Sequence, residues 1–102
     1  MSSQPLLDRY KLVFFTPAED LPSIKSVIFA TGAGRYPGKG GYSECCSTNP
    51  VTGQFRPGPD ARPAIGTPGV LEEVEEMRCE ILCLSKDVTL EAIKALKRSV
   101  GG

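Results

Sequence analysis

The chain contains no histidine, although it has 102 residues. A Ser–His or Cys–His nucleophile is therefore excluded within the chain, and we predict that it is not an enzyme. It also has no net charge, because 12 basic side chains balance 12 acidic ones. A neutral chain has no overall field that attracts nucleic acid or an anionic membrane, so we predict neither partner.

Long apolar runs are missing as well, since no stretch approaches the ~20 residues that a membrane-spanning helix needs. Residues 1–10 (MSSQPLLDRY) lack the basic start and the apolar core of a signal peptide. We therefore predict a cytoplasmic protein, small enough to diffuse into the nucleus. The length indicates one domain over residues 10–102, preceded by a flexible tail at residues 1–9.

The four cysteines are expected to be reduced thiols in such a compartment and to pack as small apolar side chains. Cys79 and Cys83 fall on one face of a predicted strand. The adjacent Cys45 and Cys46 would point to opposite faces of a strand and cannot hold one ion together. Redox chemistry is the alternative for these thiols. A metal is less favoured, because zinc sites normally show closely spaced cysteines on turns, and we predict neither a metal nor a cofactor.

The first half of the chain predicts a strand followed by a helix. Residues 10–15 (YKLVFF) are apolar on both faces, which is typical of a central strand. Thr16 is the predicted N-cap of the helix, and Gly32 or Gly34 is predicted to end it. The apolar residues at helical spacing are Leu21, Ile24, Val27 and Ile28.

The second half predicts two more strands and a helix. A short strand is expected at residues 42–47, then a Gly/Pro-rich loop at 48–69 that holds at most a short strand around 54–56. An acidic run at 70–76 leads into a third strand at 77–84. Ser85 or Asp87 is expected to cap the last helix. Its predicted buried stripe is Leu90, Ile93 and Leu96.

The predicted order β-α-β-β-α indicates an α+β, ferredoxin-like sandwich without its last strand. In that fold the strands lie in the order 4-1-3-2. Loss of strand 4 would leave residues 12–15 on an open apolar edge, which favours pairing with another chain.

Two basic loops are candidate binding sites, each with a simpler alternative. Arg35 and Lys39 lie on a glycine-rich stretch that follows a helix, so a helix-ending turn is favoured over a phosphate loop. Arg56 and Arg62 are suited to a carboxylate or phosphate, or to ion pairs with the acidic run at a surface or subunit interface. That acidic run is more typical of a solvated face than of a cation site.

Six motifs, in order along the chain, resemble the small domain of the NGG-one-interacting-factor-three family, which is similar in fold to CutA and nitrogen-regulatory PII proteins. They are YKLVFFTP from residue 10, ATGAG from 30, YSEC from 42, GQFRP from 53, PAIG from 63 and LEEVEEMRCE from 71. Larger family members join this domain to a dinuclear-metal domain resembling type-two GTP cyclohydrolase. Its histidine and carboxylate metal ligands have no counterpart here. The family's closing strand, with a His-Pro-Tyr-Glu motif, is expected to be absent after Ser99.

The resemblance implies a non-catalytic oligomerisation or regulatory module, with a trimer favoured. Residues 53–69 would then form an intersubunit arm, with Phe55 as its apolar anchor and Arg56 as its polar contact. The alternative is a small anionic ligand bound in a subunit cleft by a basic set comprising Arg35, Lys39, Arg56 and Arg62. A third alternative, phosphoribosyl transfer, would rest on fold analogy alone.

Overall fold

The computed structural model describes residues 8–100, which form a three-stranded antiparallel sheet with two helices on one face. The strands are β1 (Tyr10–Thr16), β2 (Ser47–Phe55) and β3 (Glu72–Cys83), in the spatial order β1-β3-β2. This is the predicted strand order without strand 4. The predicted tail at residues 1–9 and the chain end at 101–102 lie largely or wholly outside the described residues.

Strand β1 is an edge strand of the sheet that residues 8–100 form, as expected when strand 4 is missing, so the central position that its two apolar faces suggested is not observed. Its alternate residues Leu12, Phe14 and Thr16 point toward the helices. Phe15 points to the uncovered face and is 53% exposed. One apolar face of β1 is thus covered by the helices, and the other lies on the uncovered face of the sheet.

Helix α1 (Leu21–Phe29) follows a short 3-10 turn at Ala18–Asp20. Thr16 is not its cap, because the buried Thr16 pairs with Met77 as the last residue of β1. Leu21, Ile24 and Ile28 are buried as predicted, but Val27 is 41% exposed because it lies on the outer side of the helix. Gly32 and Gly34 follow the helix end with φ of +99° and +82°, as expected for a terminating turn.

Strand β2 covers Ser47 and residues 48–55 of the segment predicted to be mostly loop, so the short strand expected around 54–56 is part of a longer one. The predicted strand at 42–47 is a loop except for its last residue. The strand tolerates Pro50 because it is an edge strand, where a proline need not donate to a second neighbour. Gly53 lies opposite Val74 of β3. Pairing with β3 thus overrides a composition that is unfavourable for a strand.

Strand β3 begins at Glu72, not at Met77, so the acidic run is part of the strand. Residues 72–76 pair with β2 alone, whereas β1 pairs with residues 77–83. The hairpin therefore extends beyond the helices, and the described residues measure 59 × 23 × 22 Å. The radius of gyration is 16.9 Å, compared with about 12 Å for a compact chain of this length. We call residues 51–76, which include the predicted intersubunit segment 53–69, the arm, and the remaining described residues the body.

Helix α2 (Lys86–Ser99) begins at Ser85, whose Oγ accepts a hydrogen bond of 3.1 Å from the Val88 backbone N–H. This confirms one of the two predicted caps. The predicted stripe is partly wrong, because Leu90 is 46% exposed. The buried residues are Ala92 and Ala95 instead. Their short side chains allow α2 to approach α1 closely.

The core lies between the two helices and the body half of the sheet. It is built from Phe14, Leu21, Ile24, Ile28, Ala33, Cys79, Ile81, Cys83 and Ala92. The predicted face of β3 is confirmed, because Cys79, Ile81 and Cys83 are fully buried on the helix side. No helix within residues 8–100 has the length and apolar character that crossing a bilayer requires.

Candidate functional site

A cleft of about 550 Å³ lies between one flank of α1, opposite the flank that carries Val27, and the loop that joins α1 to β2. The helix contributes Pro22, Lys25, Ser26 and Phe29, which share one stripe at helical spacing. The loop contributes Arg35, Ser43 and Glu44, and the turn between them adds Ala30 and Ala33. The cleft thus combines two basic side chains, one carboxylate and two hydroxyls with apolar residues that include Phe29.

The loop side of this cleft is fixed by backbone hydrogen bonds. The Gly34 N–H donates to the Leu82 carbonyl at 2.8 Å, and the Cys45 N–H donates to the Gly34 carbonyl at 2.8 Å. Tyr36 N–H closes the outer turn by donating to the Tyr42 carbonyl at 3.1 Å. Glu44, on the rim, has φ of +55°, a strained value for a residue with a side chain.

Two cations of the cleft have no acidic partner in the described part of the chain. Lys25 is half-buried and Arg35 is exposed. The ion pairs of residues 8–100 are Lys11–Glu80, Arg78–Glu80 and Lys94–Glu91, and none of them includes Lys25 or Arg35. Neither cation is therefore held in an ion pair within residues 8–100, although the Glu44 carboxylate lines the same cleft.

The structure separates the candidate residues into two groups. Arg35 and Lys39 lie in the loop before β2, whereas Phe55, Arg56 and Arg62 lie at its far end. A strand as long as Ser47–Phe55 spans about 30 Å. One chain therefore cannot bring all four basic residues to one ligand.

The far end of the arm is a closed loop at residues 56–71. The Arg56 Nη1 donates to the Gly69 carbonyl at 2.8 Å, and the Gly69 N–H donates to the Pro57 carbonyl at 2.8 Å. Arg56 thus ties the loop together within the chain. Among the described residues neither Arg56 nor the exposed Arg62 makes an ion pair with the acidic run.

The carboxylates of the arm do not converge. Glu73 and Glu75 point to one face of β3, and Glu72 and Glu76 point to the other. Glu75 accepts a hydrogen bond of 2.9 Å from Thr52 Oγ1. Residues 8–100 contain no group of three or more His, Cys, Asp or Glu side chains placed to hold a metal ion.

The charges are unevenly distributed, even though the whole chain is neutral. The arm carries two basic and five acidic side chains, whereas the body carries ten basic and seven acidic ones. The arm is therefore negative, and the body is positive to the same extent. The uncovered face of the sheet has its own ion pairs, where Glu80 contacts Arg78 at 3.0 Å and Lys11 at 3.4 Å. Hydrogen bonding to Arg78 first, then to Lys11, lowers the pKa of Glu80.

Cys46 and Cys79 belong to one packed cluster of the core. The pKa of Cys79 is raised to about 11, first by burial and then by the charge and hydrogen bonding of the neighbouring Cys46 thiol. Lys25 acts in the opposite direction. Burial also raises the pKa of Cys83, against a hydrogen bond with Thr89. These directions agree with thiols held in the protonated, apolar form.

Sequence reasoning missed the helix side of the cleft. Lys25 and Phe29 are not among the candidate residues from the sequence, because only the apolar face of the predicted helix was given a role. The spacing of Pro22, Lys25, Ser26 and Phe29 was a usable signal. Nothing in the sequence marked Glu44, because its backbone conformation is imposed by the loop.

Comparison with known proteins finds relatives that are much longer than this chain. It is 36% identical over 72 residues to a GTP cyclohydrolase 1 type 2 homolog of Mycobacterium leprae, a match that covers 71% of this chain and 18% of that protein. It is 34% identical over 89 residues to a protein of the same description from Bacillus subtilis, covering 87% and 23%. The chain thus spans about a fifth of the curated relatives that it matches. No family model matches it.

A solved structure shows the same fold within a larger protein. A Bacillus cereus protein related to NIF3 superimposes with a TM-score of 0.75 at 26% sequence identity. The superposition covers 96% of this chain and 24% of the Bacillus cereus chain. Sequence and structure therefore agree on the same kind of relative.

Proposed function

We propose that this chain, which is related by sequence and by fold to one segment of the NIF3-family GTP cyclohydrolase 1 type 2 homologs, is a non-catalytic module that assembles with copies of itself. Its architecture is taken to be the ferredoxin-like one of CutA and PII proteins, with a trimer as the favoured assembly. The strand order β1-β3-β2 supports this fold, because it is the ferredoxin-like order without strand 4. The absence of histidine supports a role without catalysis.

The observation that carries the proposal is the acidic arm that projects from a basic body. Opposite charges on the two parts favour a head-to-tail contact, in which the arm of one copy lies on the body of the next. Such heterologous contacts close into rings when the rotation between copies allows it. Phe55, half-buried at the end of the arm, supplies the apolar anchor that such an interface needs.

The outer edge of β1 is a second surface to which the arm of another copy could bind. This strand has no neighbour on that side within residues 8–100. The adjacent sheet face exposes Val13 and Phe15, at 38% and 53%. Unpaired backbone groups beside apolar side chains favour the addition of a strand from another chain. An approaching arm would satisfy both features.

Light scattering on the purified chain tests the proposal. We expect a mass of three chains, each of 10.9 kDa. Glu73→Lys combined with Glu75→Lys is expected to reduce it to the mass of one chain, because both side chains are exposed on the acidic arm. Replacing residues 57–70 by an Asn-Gly turn should have the same result, since it removes the end of the arm.

The matched control reverses two carboxylates of the body, with Glu19→Lys and Glu91→Lys. It makes the same change in net charge but leaves the arm intact, so the mass of the assembly is expected to persist. A wild-type chain that is monomeric and well folded, or an assembly that survives both arm variants, would refute the proposal.

A second candidate function is the binding of a small anion in the cleft beside α1. It is favoured by Lys25 and Arg35, which make no ion pair within residues 8–100 and line the cleft together with Phe29. Phosphate, citrate, AMP and ATP are suitable probes for calorimetric titration. Replacing both cations by glutamine is expected to weaken binding of the best probe by at least about tenfold, the effect of losing a charged hydrogen bond.

Arg62→Gln is the control for this titration, because Arg62 lies at the other end of the arm. Unchanged binding in this variant supports a site confined to the cleft. Weakened binding would instead favour a site shared between the body of one copy and the arm of another. Absence of binding across the four probes would reject the second candidate.

A further inference from the structure

Cys46 packs against the buried cluster that contains Cys79, although 33 positions separate the two cysteines in the sequence. Cys46 comes directly before β2, and Thr48 of that strand is paired with Cys79. Cys46 is two positions before Thr48, so its side chain lies on the same face of the sheet and diagonal to Cys79.

We propose that Cys46 and Cys79 form a reversible intramolecular disulfide when the chain meets a peroxide. The proposal does not depend on self-association or on the anion cleft. The thiolate of Cys46 attacks one peroxide oxygen, which breaks the O–O bond and gives a sulfenic acid and hydroxide. The sulfur of Cys79 then attacks the Cys46 sulfur, loses its proton to hydroxide and releases the sulfenic oxygen as hydroxide, which is protonated to water. Overall two thiols and one peroxide give a disulfide and two waters when the oxidant is hydrogen peroxide.

Exposure determines which thiol reacts first. Cys46 is half-buried and within reach of a small oxidant, whereas Cys79 is fully buried. The raised pKa of Cys79 keeps it protonated and unreactive toward the oxidant itself. Cys79 therefore acts as the resolving cysteine, which reacts with the sulfenic acid on Cys46 and not with the peroxide.

The other two cysteines have different surroundings. Cys45 directs its Sγ toward the Ser43 carbonyl at 3.5 Å, away from the core. Cys83 is buried and its pKa is affected by burial and by Thr89, with no contribution from Cys46. The cluster therefore favours one pairing among the several that four cysteines allow.

The bond would tie the loop that carries Ser43 and Glu44 to the central strand. In a reducing compartment such a disulfide is transient, so it would respond to oxidation rather than stabilise the fold permanently. Because it closes a long segment of the unfolded chain, the oxidised form is expected to melt about 5–15 °C higher than the reduced form. Reductant should reverse this shift.

The test is to treat the reduced full chain with hydrogen peroxide and to digest it with trypsin and a glutamyl endopeptidase without reduction. Cleavage after Arg78 and Glu80 isolates Cys79 from Cys83, so mass spectrometry can identify the linked residue. We expect a loss of two hydrogens per chain and a fragment that joins Cys46 to Cys79. Cys45→Ser should retain this fragment.

Cys46→Ser is expected to abolish both the linked fragment and the gain in melting temperature. This variant is the decisive one, since the half-exposed site tolerates serine, whereas Cys79→Ala opens a cavity in the core. A link to Cys83, a link between Cys45 and Cys46, a bond between chains, or four thiols that remain free to alkylate after oxidation would each overturn the proposal.

Discussion

Ile81→Ala is expected to lower the free energy of unfolding by about 2–5 kcal/mol, the usual cost of truncating a buried isoleucine. Ile81 is fully buried at the centre of the middle strand, and it lies opposite Leu12 of β1. Its removal leaves a cavity at the point where both helices meet the sheet. Since a domain of this size has a total stability of roughly 5–15 kcal/mol, the variant should be close to unfolding at physiological temperature.

The control for this prediction is Ile65→Ala, which makes the same chemical change in the loop at the end of the arm. Ile65 is 60% exposed, so we expect a cost below about 0.5 kcal/mol. Urea unfolding followed by far-ultraviolet circular dichroism measures both, at one protein concentration because assembly contributes to apparent stability. Equal losses for the two variants would contradict the placement of the core.

Gly34→Ala is expected to cost about 2–4 kcal/mol, the second-largest effect, for two separate reasons. Its φ of +82° is unfavourable for any residue with a Cβ. A Cβ atom at this position would also lie 2.7 Å from Phe29 Cε1 and 3.0 Å from the Cys45 carbonyl oxygen. Neither neighbour can move easily, because Phe29 packs against the core and Cys45 is hydrogen-bonded to Gly34 itself.

Gly38→Ala separates the two reasons. Gly38 has φ of +114°, but a Cβ there meets no atom within 4 Å. It therefore carries only the conformational cost, about 1–2 kcal/mol. The same unfolding experiment should rank Gly34→Ala well above Gly38→Ala. If the two variants are equally stable, the close approach of Phe29 to the loop does not exist in solution.

Local sequence signals were sufficient where a segment's structure depends on its own residues. The Ser85 cap was predicted from residue type and position, and the hydroxyl accepts the expected backbone hydrogen bond. The spacing of Cys79 and Cys83 identified the buried face of β3, because a strand places every second side chain on one side. The left-handed glycines after α1 were predicted for a similar reason.

Local signals were not sufficient for segments whose structure depends on pairing with another segment. Strand β2 contains Pro50 and Gly53, so its own residues predict a loop, and only hydrogen bonding to β3 makes it a strand. The acidic start of β3 was separated from its apolar end for the same reason. An exposed hairpin does not need alternating apolar residues. The register of these two strands therefore determines the arm.

The sequence by itself determined the kind of chain this is: neutral, without histidine, with one apolar strand face and two helices in a fixed order. Tertiary structure alone decided which distant residues meet. It placed Arg56 and Arg62 beyond the opposite end of a strand about 30 Å long from the loop that carries Arg35. It also brought Lys25 and Arg35 to one cleft, and Cys46 and Cys79 to one packed cluster. Such contacts depend on strand register and loop closure, and these minimise the free energy of the whole chain rather than of any segment.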